Sequence, residues 1–288
     1  MKFSPAHGLL ALLLAVSPTL PLSAAAPEVA RPDRLLIDSR LAFKTGKTNE
    51  ALALATRAIE AGADDPKYYY FRGSLHEAIY QPTKAVADYD AALKLNPKAV
   101  EIIERRGELH FKLGHFPESI ADFDRVIVLA PPQGPHHWQR GIALYYAGRF
   151  EDGRKQFESH QTVNPSDVEN AVWHYLCVAR LQGLEKARAA LIDIKGDGRV
   201  PMMEIYALFQ GKLKPEDVLK AAMVGDPPAL RLRNQLCYAH LYLGLYYEAA
   251  GNEKLAREHI FKAAGEFSQD HYMGEVAQVH AAVFRKTK

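Results

Sequence analysis

Residues 66–99 read PKYYYFRGSLHEAIYQPTKAVADYDAALKLNPKA, and the chain repeats this layout at a fixed step. Gly73, Gly107 and Gly141 are 34 residues apart, as are Arg72, Arg106 and Arg140, and as are Pro97, Pro131 and Pro165. Tyr89, Phe123 and Phe157 keep the same step. A period of this length belongs to a two-helix unit that cannot bury its apolar face alone and stacks on its neighbours. The spacing therefore predicts an all-α solenoid and moves the functional question from catalysis to binding.

Within residues 66–99, Tyr69, Gly73 and His76 share one face of a first helix. Glycine there leaves room for a neighbouring helix to approach closely. Ala85, Tyr89 and Ala92 follow at helical spacing on a second helix, and Pro97 ends the pair because proline cannot continue a helix interior. Residues 100–133 repeat this with Gly107, His110, a turn at Gly114 and Phe116, then Ser119, Phe123, Val126 and Pro131. Residues 134–167 do so with Gly141, Gly148, Phe150, Phe157 and Pro165, and 32–65 with Gly46, Ala51, Ala55 and Ala58. A later copy, residues 237–270, has Leu243, Gly244, Tyr247, Gly251, Ala256 and Ala263 in register.

These residues resemble the tetratricopeptide repeat (TPR) family, whose pattern is an aromatic, Leu-Gly, Tyr, then Ala-x3-Phe and Pro. Arg72, Arg106 and Arg140 depart from it, standing where the family has Leu. The resemblance implies a right-handed superhelical solenoid of antiparallel helix pairs. On this reading repeats occupy 35–193 (32–65, 66–99, 100–133, 134–167 and a degenerate 168–193), after a linker at 26–34. An atypical helical pair at 194–228 follows, then 229–288 with the last repeat and a solubilising capping helix from His271. The arrangement is similar to exported bacterial envelope TPR proteins of the NlpI type, which implies a periplasmic adaptor. The missing lipid-anchor cysteine departs from that type.

The 36 basic and 34 acidic residues are balanced, which argues against general nucleic-acid binding, since that needs a basic face. Lys2 and His7 precede a nine-residue apolar run, Gly8 to Val16, then Pro18, Pro21 and Ser23-Ala24-Ala25. This is the layout of a signal peptide, with cleavage expected after Ala25 and export to the periplasm or cell envelope. The run is shorter than the ~20 residues of a membrane span, and no spanning stretch follows in the mature chain. The two cysteines, Cys177 and Cys237, read either as one disulfide or as two buried small hydrophobes.

Arg72 and Arg106 have Asp88 and Asp122 sixteen residues on, a spacing that suggests intra-repeat Arg–Asp pairs rather than a charged rail. The third unit has Gln156 instead, which leaves Arg140 as the arginine expected to be free for a ligand. The family resemblance places the first helix of each pair on the concave face. It thereby implies a groove of Arg40, Phe43, Tyr70, Glu77, Glu104, Glu108, Phe111, Trp138, Tyr145 and Tyr146. Trp138, Tyr145 and Tyr146 cluster, and are expected to pack against an extended peptide or a partner helix. The family's carboxylate clamp is not expected, because Leu36, Arg40, Tyr70 and Ser74 hold its places. His110, His115, His136 and His137 lack the supporting carboxylates or thiolates of a metal site. Asp193 to Glu204 has the glycine and acidic places of a calcium loop, but Lys195 sits where a ligand oxygen is required. No GxSxG, phosphate-cradling loop or activated cysteine is present, so no catalytic residue and no cofactor are expected. The expected function is a non-enzymatic adaptor for a protein or peptide. The alternative is a structural part of an envelope assembly, joined through solenoid edges or self-association into homo-oligomers.

Overall fold

The computed structural model describes residues 31–62 and 64–286; the expected signal peptide lies outside them. Successive antiparallel pairs are α1 (Pro32–Lys44) with α2 (Thr48–Ala61), α3 (Pro66–Ala78) with α4 (Pro82–Leu95), and α5 (Val100–Lys112) with α6 (Phe116–Leu129). A 3-10 turn, Pro131–His136, leads to α7 (Trp138–Tyr146) and α8 (Phe150–Gln161). Then come α9 (Val168–Gln182) with the short α10 (Leu184–Ala189), α11 (Met202–Phe209) with α12 (Pro215–Met223), and α13 (Ala229–Ala249) with α14 (Glu253–Ala264). The last helix is α15 (Tyr272–Lys286). No described helix is long and apolar enough to cross a membrane.

The starts and stops follow local chemistry. Pro32, Pro66, Pro82 and Pro215 sit in first turns, where their missing N–H would have no intrahelical partner. Asp65 and Asp167 accept hydrogen bonds from the amides of Lys67 and Glu169, capping α3 and α9.

The repeated glycine and aromatic form one interlocking seam. A Cβ on Gly73 would stand 2.5 Å from the Tyr89 ring, on Gly107 2.9 Å from Phe123, and on Gly141 2.6 Å from Phe157. Each bare glycine thus receives the ring lying sixteen residues later on the second helix. Ala51, Ala85 and Ser119 are fully buried on the same inner faces.

The turn inside each pair carries a left-handed residue. Gly46, Gly114 and Gly148 hold φ of +79°, +75° and +73°. Tyr80 occupies the equivalent place in the second pair at φ +58°, with its side chain exposed. This conformation costs an L-residue roughly 1–2 kcal/mol, while glycine adds roughly half that in unfolded-chain entropy. Tyr80→Gly is therefore expected to stabilise the protein by about 0.5–1 kcal/mol in urea unfolding. A loss of stability would show that the turn is not strained.

The C-terminal region departs from a simple cap. Instead of standing at the end of the stack, α15 turns back onto the inner faces of α5 and α7. Lys112 on α5 pairs with Glu275 at 2.7 Å, and the Tyr146 hydroxyl meets His280 Nδ1 at 2.8 Å. Phe111 stacks on Tyr272, ring centroids 5.7 Å apart. The last pair and α15 thereby join the middle of the solenoid in one hydrophobic core. Cys177 and Cys237 are buried as free thiols.

Candidate functional site

The arginines act as clamps between repeats. Arg72 donates to both oxygens of Asp88, at 2.9 and 2.7 Å, and to Thr56 Oγ1 at 3.1 Å. Arg106 grips Asp122 at 2.9 and 2.6 Å and Asp90 at 2.7 Å. The expected intra-repeat pairs are present, but each guanidinium also reaches sixteen residues backward, to the second helix of the preceding unit. Thr56, Asp90 and Asp124 keep the 34-residue step. That periodicity is visible in the sequence and foretells the second half of the clamp. The same rule corrects the expectation for Arg140, which donates to Asp124 at 2.5 Å and to Gln156 Oε1 at 3.0 Å. It is a tie between repeats, not a free cation.

The expected groove residues divide into two groups. The aromatic group is occupied by the chain itself. Phe111 is fully buried. Trp138 stands edge-on to Tyr272, centroids 4.7 Å apart, and Tyr146 lies against Phe111, Phe116 and His280. Tyr145 is buried against Trp173 and Phe150, with Arg180 donating to its hydroxyl at 3.3 Å. Burial raises the pKa of Tyr145 and Tyr146 well above the usual tyrosine range. The expected contact of Tyr145 and Tyr146 with a partner is therefore corrected, because α9 and α15 already cover them, while Trp138 stays half-buried at the edge of a separate cavity.

Of the second group, Glu77 lines a cleft, while Arg40, Phe43, Tyr70, Glu104 and Glu108 lie outside its lining. Arg40 is exposed above the Phe71 ring, and Phe43 is half-buried beside Ala42 and Leu75. Tyr70 donates to Glu101, and burial with this bond pushes its pKa up to about 12. Glu77 accepts from the Tyr89 hydroxyl at 3.0 Å and from Arg105 at 2.8 Å. Glu104 and Glu108 are half-buried on α5; burial, with Glu104 and Glu77 nearby, raises Glu108 to about 7. A cavity of about 710 Å³ opens here between α3 and α5 on one side and the α14–α15 segment on the other. Ser74, Glu77, Arg105 and Lys112 face Asp270, Gln278 and Arg285 across it. The buried Nε of Arg105 has no hydrogen-bond partner.

Residues 81–134 match the tetratricopeptide repeat family model. The chain carries tetratricopeptide repeats. A tetratricopeptide repeat protein from Parabacteroides merdae superposes with a TM-score of 0.57 over 86% of this chain and 98% of that one, at 15% identity. MamA protein gives 0.51 over 63% of this chain and 92% of its own, at 13% identity. A MamA RS-1 ArsTM double mutant gives 0.50 over 55% and 89%, at 18% identity. These likenesses establish the fold. A stack of such repeats is a protein-interaction scaffold, whose surfaces come from the small rotation between units.

A second polar centre in this tetratricopeptide stack was not legible in the sequence. Arg199, on the segment before α11, donates to Asp167 at 2.7 Å, to Asp197 at 2.6 Å and to Glu169. Glu169 is buried, also accepts from the Tyr242 hydroxyl at 2.7 Å, and is raised by burial to about 7. Asp197 thus serves Arg199 and the Val168 amide, while Asp193 pairs with Lys195. The carboxylates considered as calcium ligands do not converge. Asp167, Glu169, Arg199 and Tyr242 share no period, so no sequence signal joins them.

Proposed function

We propose that this protein is an exported, non-enzymatic adaptor that binds a protein or peptide segment in the cleft between α3, α5 and the returning C-terminal segment. The observation that carries the reading is that cleft: an inner-face opening of about 710 Å³, lined by charged side chains of both signs and left unfilled by α15. Its mixed lining suits an extended chain, whose amides and carbonyls need partners of both kinds when desolvated. Export rests on the charged, apolar and small-residue order of the first 25 residues.

A second reading, a structural part of an envelope assembly, is favoured by Ile37 and Leu41. These lie one helical turn apart on α1 and are 56% and 61% exposed. One experiment separates the two. Wild type, an Arg105→Ala/Gln278→Ala/Arg285→Ala variant of the cleft lining and an Ile37→Ser/Leu41→Ser variant are compared by capture from an envelope extract and by light scattering. Loss of a captured protein only in the first variant is the expected result. Unchanged capture in that variant, with a lower oligomer mass in the second, would replace the adaptor reading with the assembly reading.

A further inference from the structure

Apart from that cleft, a cavity of about 310 Å³ lies where α7, α8, α9, α13 and the start of α15 meet. Aromatic side chains from four helices line it: Trp138, Trp173, Tyr238 and Tyr272. Trp138 and Tyr272 meet at 80°, so their rings form two walls of a corner. Asp167, Glu169 and Arg199 complete the lining on one side.

The electrostatics of that side are unbalanced. Three carboxylates, Asp167, Glu169 and Asp197, surround the one guanidinium of Arg199, which leaves two negative charges when all are ionised. Their oxygens are largely engaged by Arg199, the Tyr242 hydroxyl and backbone amides. Net charge thus persists while few acceptor lone pairs remain. A primary ammonium has three donors to satisfy and is poorly served here. A quaternary ammonium has none and is attracted to ring faces and diffuse negative charge.

We propose that this cavity binds a small quaternary ammonium group, boxed by Trp138, Trp173, Tyr238 and Tyr272 under the charge of Asp167 and Glu169. The chain has two tryptophans and both line the cavity, so intrinsic fluorescence reports on this site. Titration of the protein with choline, at about pH 8 so that Glu169 is ionised, should give a saturable change in tryptophan emission. The neutral isostere of choline, with tert-butyl in place of trimethylammonium, should bind at least about tenfold more weakly. A trimethyllysine amide tests whether the group arrives on a protein side chain; binding tighter than choline would assign that source. By calorimetry, Tyr238→Ala and Glu169→Gln should each weaken choline about tenfold while far-ultraviolet dichroism stays native. Two results would overturn the proposal: no saturable signal at millimolar choline, or equal affinity for choline and its neutral isostere. Should Glu169→Gln fail to fold, the isostere comparison on wild type and the Tyr238→Ala variant still decide it.

Discussion

Phe123→Ala is expected to cost about 3–5 kcal/mol of folding stability, the range for emptying a fully buried aromatic site. Phe123 has no exposed surface, fills the space above Gly107, and packs on the His137 ring with centroids 4.6 Å apart. Neighbouring units cannot collapse into the void, because Arg106 and Arg140 fix the second helices on both sides. Domains of this size are stable by roughly 5–15 kcal/mol, so the loss is a large share of the total. Urea unfolding of the purified variant checks it. A cost below about 1 kcal/mol would mean that the glycine–aromatic seam is not what holds successive helices together.

Acid is the second lever with a large effect, and its sign follows from buried histidines. Burial lowers His137 and His240 to about 4 and His280 to about 3, with Arg140, His259 and Arg180 respectively adding to the effect. In the unfolded chain histidine titrates near 6.5. Between these values the unfolded state binds the protons, so stability present above about 6.5 is lost as pH falls toward 4 and 3. Glu108 and Glu169 act oppositely: raised to about 7, they take up protons first in the folded state and add stability as pH falls from 7 toward 4.5. His76, His110, His174, His259 and His271 are lowered by burial as well, and Glu248 is raised, so the histidines outnumber the carboxylates and stability already falls as pH drops below about 6.5. Below about 4.5 the raised carboxylates no longer compensate, and the loss from His137 and His240 is complete once pH passes below about 4. Thermal melts should show an acid limb in which the melting temperature declines from about pH 6.5 down to about pH 4. Neither ring nitrogen of His137 finds a partner on another residue, so His137→Phe removes a titrating group without breaking a hydrogen bond. It should raise the melting temperature and flatten the limb by about one proton. An unchanged acid limb would exclude His137 from the acid response.

The functional surfaces were only partly legible. The arginine clamp is half-written in Arg72, Arg106, Asp88 and Asp122, and its other half in Thr56, Asp90 and Asp124, because both halves obey the repeat. Within the aromatic cluster, Tyr145 and Tyr146 pack on α9 and α15 of the same chain, while Trp138 lines a cavity. Family register places these side chains on the inner face, and nothing local to residues 138–146 says what covers it. Arg140 differs from the expectation for a related reason: its forward partner Gln156 together with its backward partner Asp124 serves as well as a single aspartate.

Sequence alone determined the helix pairs, their glycine–ring seam, their proline ends and their glycine turns. In a solenoid each unit packs mainly on its neighbours, so the contacts that build the stack recur at one step and can be read along the chain. Tertiary structure alone decided that α15 returns to α5 and α7, bringing Tyr272 onto Phe111 and His280 onto Tyr146. It likewise decided that Glu169 meets Arg199 and Tyr242 beside an aromatic cavity. These contacts occur once each, between segments about 30 to 160 residues apart. They depend on shape and charge complementarity between surfaces that exist only after the repeats have stacked, which no periodicity encodes.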